Sequence, residues 1–484
     1  MGEPAWSGAG AGERAVDKGR AVARSHGLTV EAIRGFGTHE VRRAAATAAV
    51  LGRHGVRFAW RSRPGARDGT GYGEIGAAEL REAFAELGPT YVKLAQLIAS
   101  SPGLFPEVLS DELRSLLDEV PPIPADEVRA ILTEELGAPP DQVFASLDPT
   151  PLASASIAQV HAATLPDGEE VVVKVQRPGI REQVERDLRI LMRMAQVLER
   201  ASTRGRMANP VAVVEDFAAT LAEELNFVNE GRAMEMFEAN LRRFGDNGTV
   251  RVPTVRWPYT TPRVLTMERI HGFKIDDLAQ LDAQGWDLAA ALKRGVRAWM
   301  EAALEHGYFH GDVHAGNLML DTAGNVVFLD FGIMGHLDPK TMDIIRHGLP
   351  ALLVEGDFVE VAKAIYDLGA VLNPVEFEES ARDIAEIVEP ILGKPLSEIS
   401  YGQVLVDIVR IGTKYEVRLP REMVLVAKQM LYFERYAKLM APDWNILDDP
   451  ELIGFLFEGL DTHAEGDAEA AAFAARLEGD GPPG

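Results

Sequence analysis

Apolar positions in the first third of the chain recur at helical spacing and are cut where glycine and proline fall together. An Arg-dotted, Ala-rich stretch from Thr38 to Trp60 predicts a helix, and the composition of residues 61–73 predicts a linker. Residues 74–119 read as helices broken at Gly88-Pro89 and at Ser101-Pro102-Gly103. The Pro-rich run Val120 to Pro124 closes that segment. Asp126 to Leu136 then predicts a helix, with Gly137 placed to end it. After that the period changes. Phe144 to Leu147, Ile157 to Thr164 and Glu170 to Val175 are short and rich in Val, Ile and Ala, and Pro166-Asp167-Gly168 supplies a hairpin turn between the last two. Helical patterns follow from Ile180 to Glu199 and from Val211 to Ala239. A strand from Arg263 to Met267 leads into a mainly helical C-terminal half.

Composition narrows the classes. The 484 residues are 46% hydrophobic and 25% charged, as in ordinary globular proteins, and no internal repeat is visible. There is no cysteine, which excludes disulfides, thiolate metal sites and a cysteine nucleophile. No apolar run reaches the ~20 residues of a membrane span, and no signal-peptide pattern opens the chain, so a cytoplasmic protein is expected. The net charge of −25 argues against nucleic acid as a partner. Residues 1–70 nevertheless carry +6, leaving −31 for the rest. A basic leader of that kind is a solvated arm or a contact for anionic lipid.

The chemistry concentrates in His310-Gly311-Asp312-Val313-His314-Ala315-Gly316-Asn317, followed by Leu329-Asp330-Phe331-Gly332. An Asp with an Asn five residues later matches the H-R-D-x-x-x-x-N catalytic loop, with Gly311 in place of the Arg. A hairpin turned by Ala323-Gly324-Asn325 separates it from the Asp-Phe-Gly. Such a loop and hairpin bring a carboxamide and a carboxylate to magnesium, a hard cation that takes oxygen ligands. Asn317 and Asp330 are the expected metal ligands, and Asp312 faces the attacking hydroxyl or water. Val171-Val172-Val173-Lys174 ends an apolar strand in a lysine, the residue that reaches the α/β-phosphates in a kinase strand. Glu230, on the helix from Val211, is its expected carboxylate partner. A G-x-G-x-x-G loop is absent. Ala153, Ser154, Ala155, Ser156, Ile157, Ala158 and Gln159 stand in its place, and each Cβ restricts φ more than glycine would.

Together these residues resemble the UbiB/ADCK (aarF-domain) atypical kinases over roughly residues 74–445. The resemblance rests on the Ala-rich loop Ala153 to Gln159, VVVKVQRPG at Val171 to Gly179, FHGDVHAGNL at Phe309 to Leu318, and Asp330 to Gly332. The family's Lys-x-Gly-Gln signature looks like Lys93-Leu94-Ala95-Gln96, and its Glu-x-Asp signature like Glu224-Leu225-Asn226, with Ala95 and Asn226 as departures. The resemblance implies an α+β, two-lobe protein-kinase-like fold with a helical extension whose lysine meets the Glu-x-Asp carboxylates and limits access for large substrates. The domains expected are a weakly basic N-terminal region and linker (1–73), the helical extension (74–140), an N-lobe with a helical insertion (141–270), a C-lobe (271–460) and a disordered acidic tail (461–484). It also implies ATP or ADP with Mg²⁺, and ATP turnover supporting isoprenoid-quinone or related lipid metabolism. Partners would be quinone-like lipids or quinone-pathway enzymes, with any membrane contact peripheral. The alternative is a non-catalytic nucleotide-binding scaffold organising such enzymes. A protein kinase fits less well, because the Gly-rich loop and an Ala-Pro-Glu segment are missing.

Weaker signals are ambiguous. Met267-Glu268 after a strand suits an interlobe hinge whose backbone meets adenine, or an ordinary strand end. His306, His310 and His314 recur every four residues, but Gly307 and Gly311 argue against a helix carrying a metal site. Met and aromatic residues between Met423 and Met440 recur at helical spacing, as a packed core face does.

Overall fold

The computed structural model describes residues 40–63, 71–99, 107–114, 116, 121–201, 210–243, 247–350, 356–367, 377–390, 421–445 and 449, with scattered residues between 394 and 415. The expectations for 1–37, for the break at 101–103 and for the tail from 461 lie outside the described residues.

The chain opens with helices α1 (Glu40–Arg61), α2 (Tyr72–Leu87), α3 (Pro89–Ala99), α4 (Glu107–Arg114), α5 (Ala125–Leu136) and α6 (Pro140–Val143). Strands β1 (Ser146–Ser154), β2 (Ala158–Thr164) and β3 (Glu170–Gln176) follow, then α7 (Ile180–Ala201), α8 (Pro210–Glu224) and α9 (Phe227–Leu241). Next come β4 (Val250–Arg251), β5 (Val264–Glu268), β6 (Gly272–Lys274), α10 (Leu278–Gln284) and α11 (Leu288–Leu304). The remainder is β7 (Tyr308–His310), β8 (Leu318–Asp321), β9 (Val326–Phe328), β10 (Met334–His336), α12 (Pro339–Pro350), α13 (Phe358–Asp367), α14 (Phe377–Val388) and α15 (Arg421–Met440).

These elements form two compact units. The first takes the chain to Glu238 with Val252–His271 and Leu329–Ile333; the second takes Ala239–Arg251, Gly272–Phe328 and the chain from Met334. The helices of residues 74–140 and the first sheet thus share one unit.

In the first unit, β1-β2-β3-β5 make an antiparallel sheet. Val171, Val173 and Val175 alternate onto a core with Val128, Ile131 and Leu132 of α5, Phe144 and Val264. Burying each such side chain contributes about 1.5–3 kcal/mol. The alternation leaves Lys174 on the opposite face of β3. Gly168 closes the β2–β3 turn at φ 94°, and Gly137 ends α5 at φ 73°, both left-handed positions that favour glycine. The N-terminal helix is fastened by Arg43, which donates to Asp187 Oδ1 and Oδ2 (2.6 and 2.9 Å) and to Leu87 O (2.7 Å). Further along α1, His54 lies 2.8 Å from Glu79. Glu79 and its neighbour Glu82 also take Arg57 and Arg61, so this His/Glu cluster is an ion-pair network.

The second unit holds a sheet ordered β4-β9-β8-β6, in which β4 runs parallel to β9, and a β10-β7 pair. Gly272 is required at the β6–β8 crossing, because a Cβ there would come 2.1 Å from Leu320 O. Trp299 of α11 packs edge-on against Phe309 and Phe433 and donates to His310 O (2.8 Å).

The strand expected at Phe144–Leu147 begins at Ser146 and runs to Ser154; Phe144 instead turns into the core after α6. The single helix expected from Val211 to Ala239 is two, α8 and α9. Asn226 breaks it by accepting the Val228 N–H through its own Oδ1 (3.2 Å), the local bond by which asparagine starts a new helix.

Candidate functional site

The expected site residues fall into two groups of side chains, one in each unit. In the first, β3 presents Lys174, and α9 presents Phe227, Glu230 and Phe237 at spacings of three and seven, which is one helix face. Lys174 Nζ donates to Glu230 Oε1 and Oε2 at 2.8 and 3.0 Å and to Asp330 Oδ1 at 3.3 Å. It also lies 5.3 Å from the Phe227 ring. Phe331 is buried against Phe237, edge-on at 5.3 Å, which fixes the residue beside Asp330. Asp330 itself stands at φ 52°, the one positive-φ non-glycine among the described residues. Such strain persists only where the surroundings impose it, and it concentrates at functional sites.

Partial desolvation would raise the Asp330 carboxyl, but Lys174, Lys93 and the Gly332 amide hold it far below the usual carboxylate range. Burial would likewise discharge Lys174, yet Asp330 and Glu230 keep its ammonium strongly favoured. Glu230 is pushed up to about 7 by burial, against the pull of Lys174. Lys93 Nζ pairs with Glu224 at 2.7 Å, and burial opposed by Glu224 leaves its ammonium favoured. The set therefore holds three carboxylates (Glu224, Glu230, Asp330) and two ammoniums (Lys93, Lys174). With all three carboxyls ionised one negative charge is in excess, and the Asp330 side chain keeps 51% of its surface open. A hard divalent cation fits that donor set.

In the second unit, the loop after β7 carries Asp312 and Asn317. His310, fully buried, accepts the Asp312 N–H at Nδ1 (3.1 Å). Asn317 donates through Nδ2 to Asp312 O (2.9 Å), which commits its NH₂ and leaves Oδ1 as an oxygen donor suited to magnesium. Helix α15 grips this loop. Lys428 Nζ donates to Asp312 Oδ1 (2.8 Å). The wholly buried Gln429 accepts from Val313 N–H (2.9 Å) and donates to Gly311 O (2.8 Å). Tyr436 OH donates to Val313 O (2.9 Å). Burial alone would raise the Asp312 carboxyl, but Lys428 with His314 and His310 holds it below its ordinary value. His306, His310 and His314 do not share a helix: His310 is in β7, and His314 Nε2 lies 3.7 Å from Asp312 Oδ2.

Other expected site residues are placed differently. Ala153 and Ser154 end β1, Ala155 to Ile157 form the tip, and Ala158 and Gln159 begin β2. The Ala155 N–H closes the tip onto Ala158 O (2.8 Å). Arg177 braces it from below, donating to Ala155 O, Ser154 Oγ and Pro121 O. The Gln159 side chain is turned inward, accepting from Ile123 N–H (2.8 Å) and meeting His161 (2.8 Å), so any nucleotide contact there falls to backbone. At the expected hinge, Glu268 is a β5 residue whose N–H already donates to Thr254 O (2.9 Å), because strand pairing uses the amide that adenine would need. Met267 faces Val172 on one side and Val255 on the other. Within the gating set, Asn226 caps α9, while Glu224 alone meets Lys93. Ala95 is fully buried on α3, and Gln96 is half-buried.

Sequence reading missed Lys428 and Gln429. The helical spacing of Met423 to Met440 was visible, but a polar pair inside an apolar face carries no local sign of what it binds.

The two groups hold the residues expected of a protein-kinase-like fold, and two family models match the chain. The family model described as ABC1 atypical kinase-like domain matches residues 115–365, and the UbiB helical domain matches 384–445. The protein Rv0647c of Mycobacterium tuberculosis, described as uncharacterized, is 47% identical over 416 residues, covering 86% of this chain and 84% of its own. "Probable protein kinase UbiB" of Pseudomonas fluorescens is 36% identical over 375 residues, covering 76% and 70%. A solved structure of Rv3197 with erythromycin, from Mycobacterium tuberculosis, aligns over 76% of this chain and 96% of that one, at 24% identity and a TM-score of 0.49. The chain belongs to the UbiB/ADCK (ABC1, aarF-domain) family of atypical kinase-like proteins.

Proposed function

We propose that the chain is a Mg²⁺-dependent ATPase or small-molecule phosphotransferase serving isoprenoid-quinone or related lipid metabolism. The observation that carries this reading is the Lys174 ammonium held at once by Glu230 and Asp330. It is a fixed cation for phosphate oxygens beside a carboxylate kept ionised for a metal.

Lys174 binds the α/β-phosphates of ATP, or of ADP, with the backbone of residues 153–159 beside them. Asp330 of the first unit and Asn317 of the second are each an oxygen donor that would hold Mg²⁺, which when bound would neutralise charge developing on the phosphoryl oxygens. Asp312 takes the proton of the attacking oxygen. The O–H electron pair forms the new bond to the γ-phosphorus, and the bond from phosphorus to the β–γ bridging oxygen breaks, its pair leaving on ADP. Lys93 and Gln96 with Glu224 restrict the acceptor to water or a small or extended lipid-like hydroxyl, in preference to a protein side chain.

Among the described residues no helix is long and apolar enough to cross a membrane, and we assign lipid access to peripheral contact. The test is steady-state ATP hydrolysis by the purified chain with Mg²⁺, with and without liposomes and a phenol resembling a quinone precursor. Mg²⁺-dependent turnover raised by lipid supports the reading. Nucleotide binding without turnover above background under any of these conditions would replace it with the non-catalytic scaffold.

A further inference from the structure

The catalytic loop is unusual in what it lacks. Gly311 stands where H-R-D loops carry an arginine, so no permanent cation of the loop itself accompanies Asp312. The cation comes from 116 residues further on. Lys428 Nζ donates to Asp312 Oδ1 at 2.8 Å, and its side chain is 11% exposed. Its neighbours fix it there. Gln429 holds the loop backbone on both sides of Asp312, and the Tyr432 ring lies 5.8 Å from the ammonium. Tyr436, two turns beyond Lys428, takes Val313 O. One face of α15 is thus shaped to the loop. That helix lies within the UbiB helical-domain match (384–445), outside the kinase-like match (115–365).

We propose that Lys428 is the positioning residue of Asp312, occupying Oδ1 so that Oδ2 is the atom that accepts the proton of the attacking hydroxyl or water. This rests on the reading of Asp312 as proton acceptor given above. A buried lysine bonded to one carboxylate oxygen removes a rotamer choice from the other, which is how a second residue makes a proton transfer geometrically competent. His314 Nε2, 3.7 Å from Oδ2, is in ion-pair range but beyond hydrogen-bond distance, and among the described residues no hydrogen bond to Oδ2 stands beside it. The C-terminal helical domain then supplies, from outside the kinase-like segment, the cation that the catalytic loop lacks.

The experiment compares kcat, KM for Mg·ATP and melting temperature for the wild type, Lys428→Met, Lys428→Arg, Asp312→Asn and the Lys428→Met/Asp312→Asn double variant. Lys438→Met is the control, an exposed lysine on the same helix paired only locally with Glu434. Lys428→Met should lower kcat about tenfold or more with KM within about twofold, and should cost nothing further on the Asp312→Asn background. Lys428→Arg keeps the charge but not the geometry, and its kcat should fall between the two, which preserves the test if the Met variant folds poorly. A kcat within about twofold of wild type for both Lys428 variants, with Asp312→Asn inactive, would overturn the positioning role and leave the reaction standing. Full turnover by Asp312→Asn would instead remove the reaction on which the role depends.

Discussion

The two groups of functional side chains are built on opposite electrostatic plans. In the first unit, three carboxylates crowd two ammoniums, and the most open of the three, Asp330, is held far below the usual carboxylate range by Lys174 and Lys93. In the second, one carboxylate meets one ammonium, Asp312 with Lys428, and the pair is neutral. An excess of negative charge beside a fixed lysine suits metal and phosphate, since the missing positive charge arrives with the ligand. A balanced pair suits proton transfer, where the carboxylate must be ionised yet not bind a cation of its own. On the proposed function, the difference assigns binding to the first group and turnover to the second, and predicts that they can be lost separately.

The largest way to break that contrast is to remove the excess negative charge of the first group, leaving two carboxylates against two ammoniums. Glu230→Ala leaves Lys174 with Asp330 alone, and breaking such a buried pair costs about 3 kcal/mol. Urea denaturation should show that loss, and Mg·ATP affinity should fall roughly tenfold because the ammonium is no longer aimed. Unchanged affinity would mean that Lys174 needs no partner to meet phosphate.

A smaller effect sharpens the comparison from the other side. Buried carboxyls occur in both units, Glu230 beside an ammonium and Glu301 of α11 bonded by Asn247 Nδ2 (3.0 and 2.9 Å). Burial pushes Glu301 from its ordinary 4.5 up to about 7, against the Asn247 bond and Arg297. A carboxyl whose folded value is raised holds its proton more tightly when folded. Its stabilisation is complete below about pH 4.5 and is lost as pH rises through about 7. Across that window the wild type should lose roughly 3 kcal/mol relative to Glu301→Gln, which has no proton to release. Parallel stability curves for the two proteins would place the Glu301 carboxylate in contact with a compensating charge.

Much of this was legible in the chain. The alternation of Val171, Val173 and Val175 gives both the sheet core and the face of Lys174, because a strand's period of two ties burial to orientation. Gly137 and Gly168 mark their turns for the same local reason. The spacing from Asp312 to Asn317 and on to Asp330 is visible because one loop and one hairpin carry it. What escaped the sequence was non-local or a competition between neighbours. Asn226 stands as a departure at the signature's aspartate position, and its side chain takes the nearer amide of Val228 and starts a new helix. Glu268, expected beside a hinge whose backbone meets adenine, donates its N–H to Thr254 O, a pairing set by the chain's return. Lys428 and Gln429 reach a loop more than a hundred residues away, and nothing in their own segment names that partner.

The most direct test of the account sets Asp330→Asn beside Asp312→Asn and measures, for each, Mg·ATP affinity by calorimetry and the single-turnover rate at saturating nucleotide. The account predicts that Asp330→Asn loses roughly 100-fold or more of Mg-dependent affinity, because a metal ligand is gone. Asp312→Asn should bind within about threefold of wild type while its turnover falls at least 100-fold. Equal losses of binding in both variants, or turnover retained by Asp312→Asn, would contradict it.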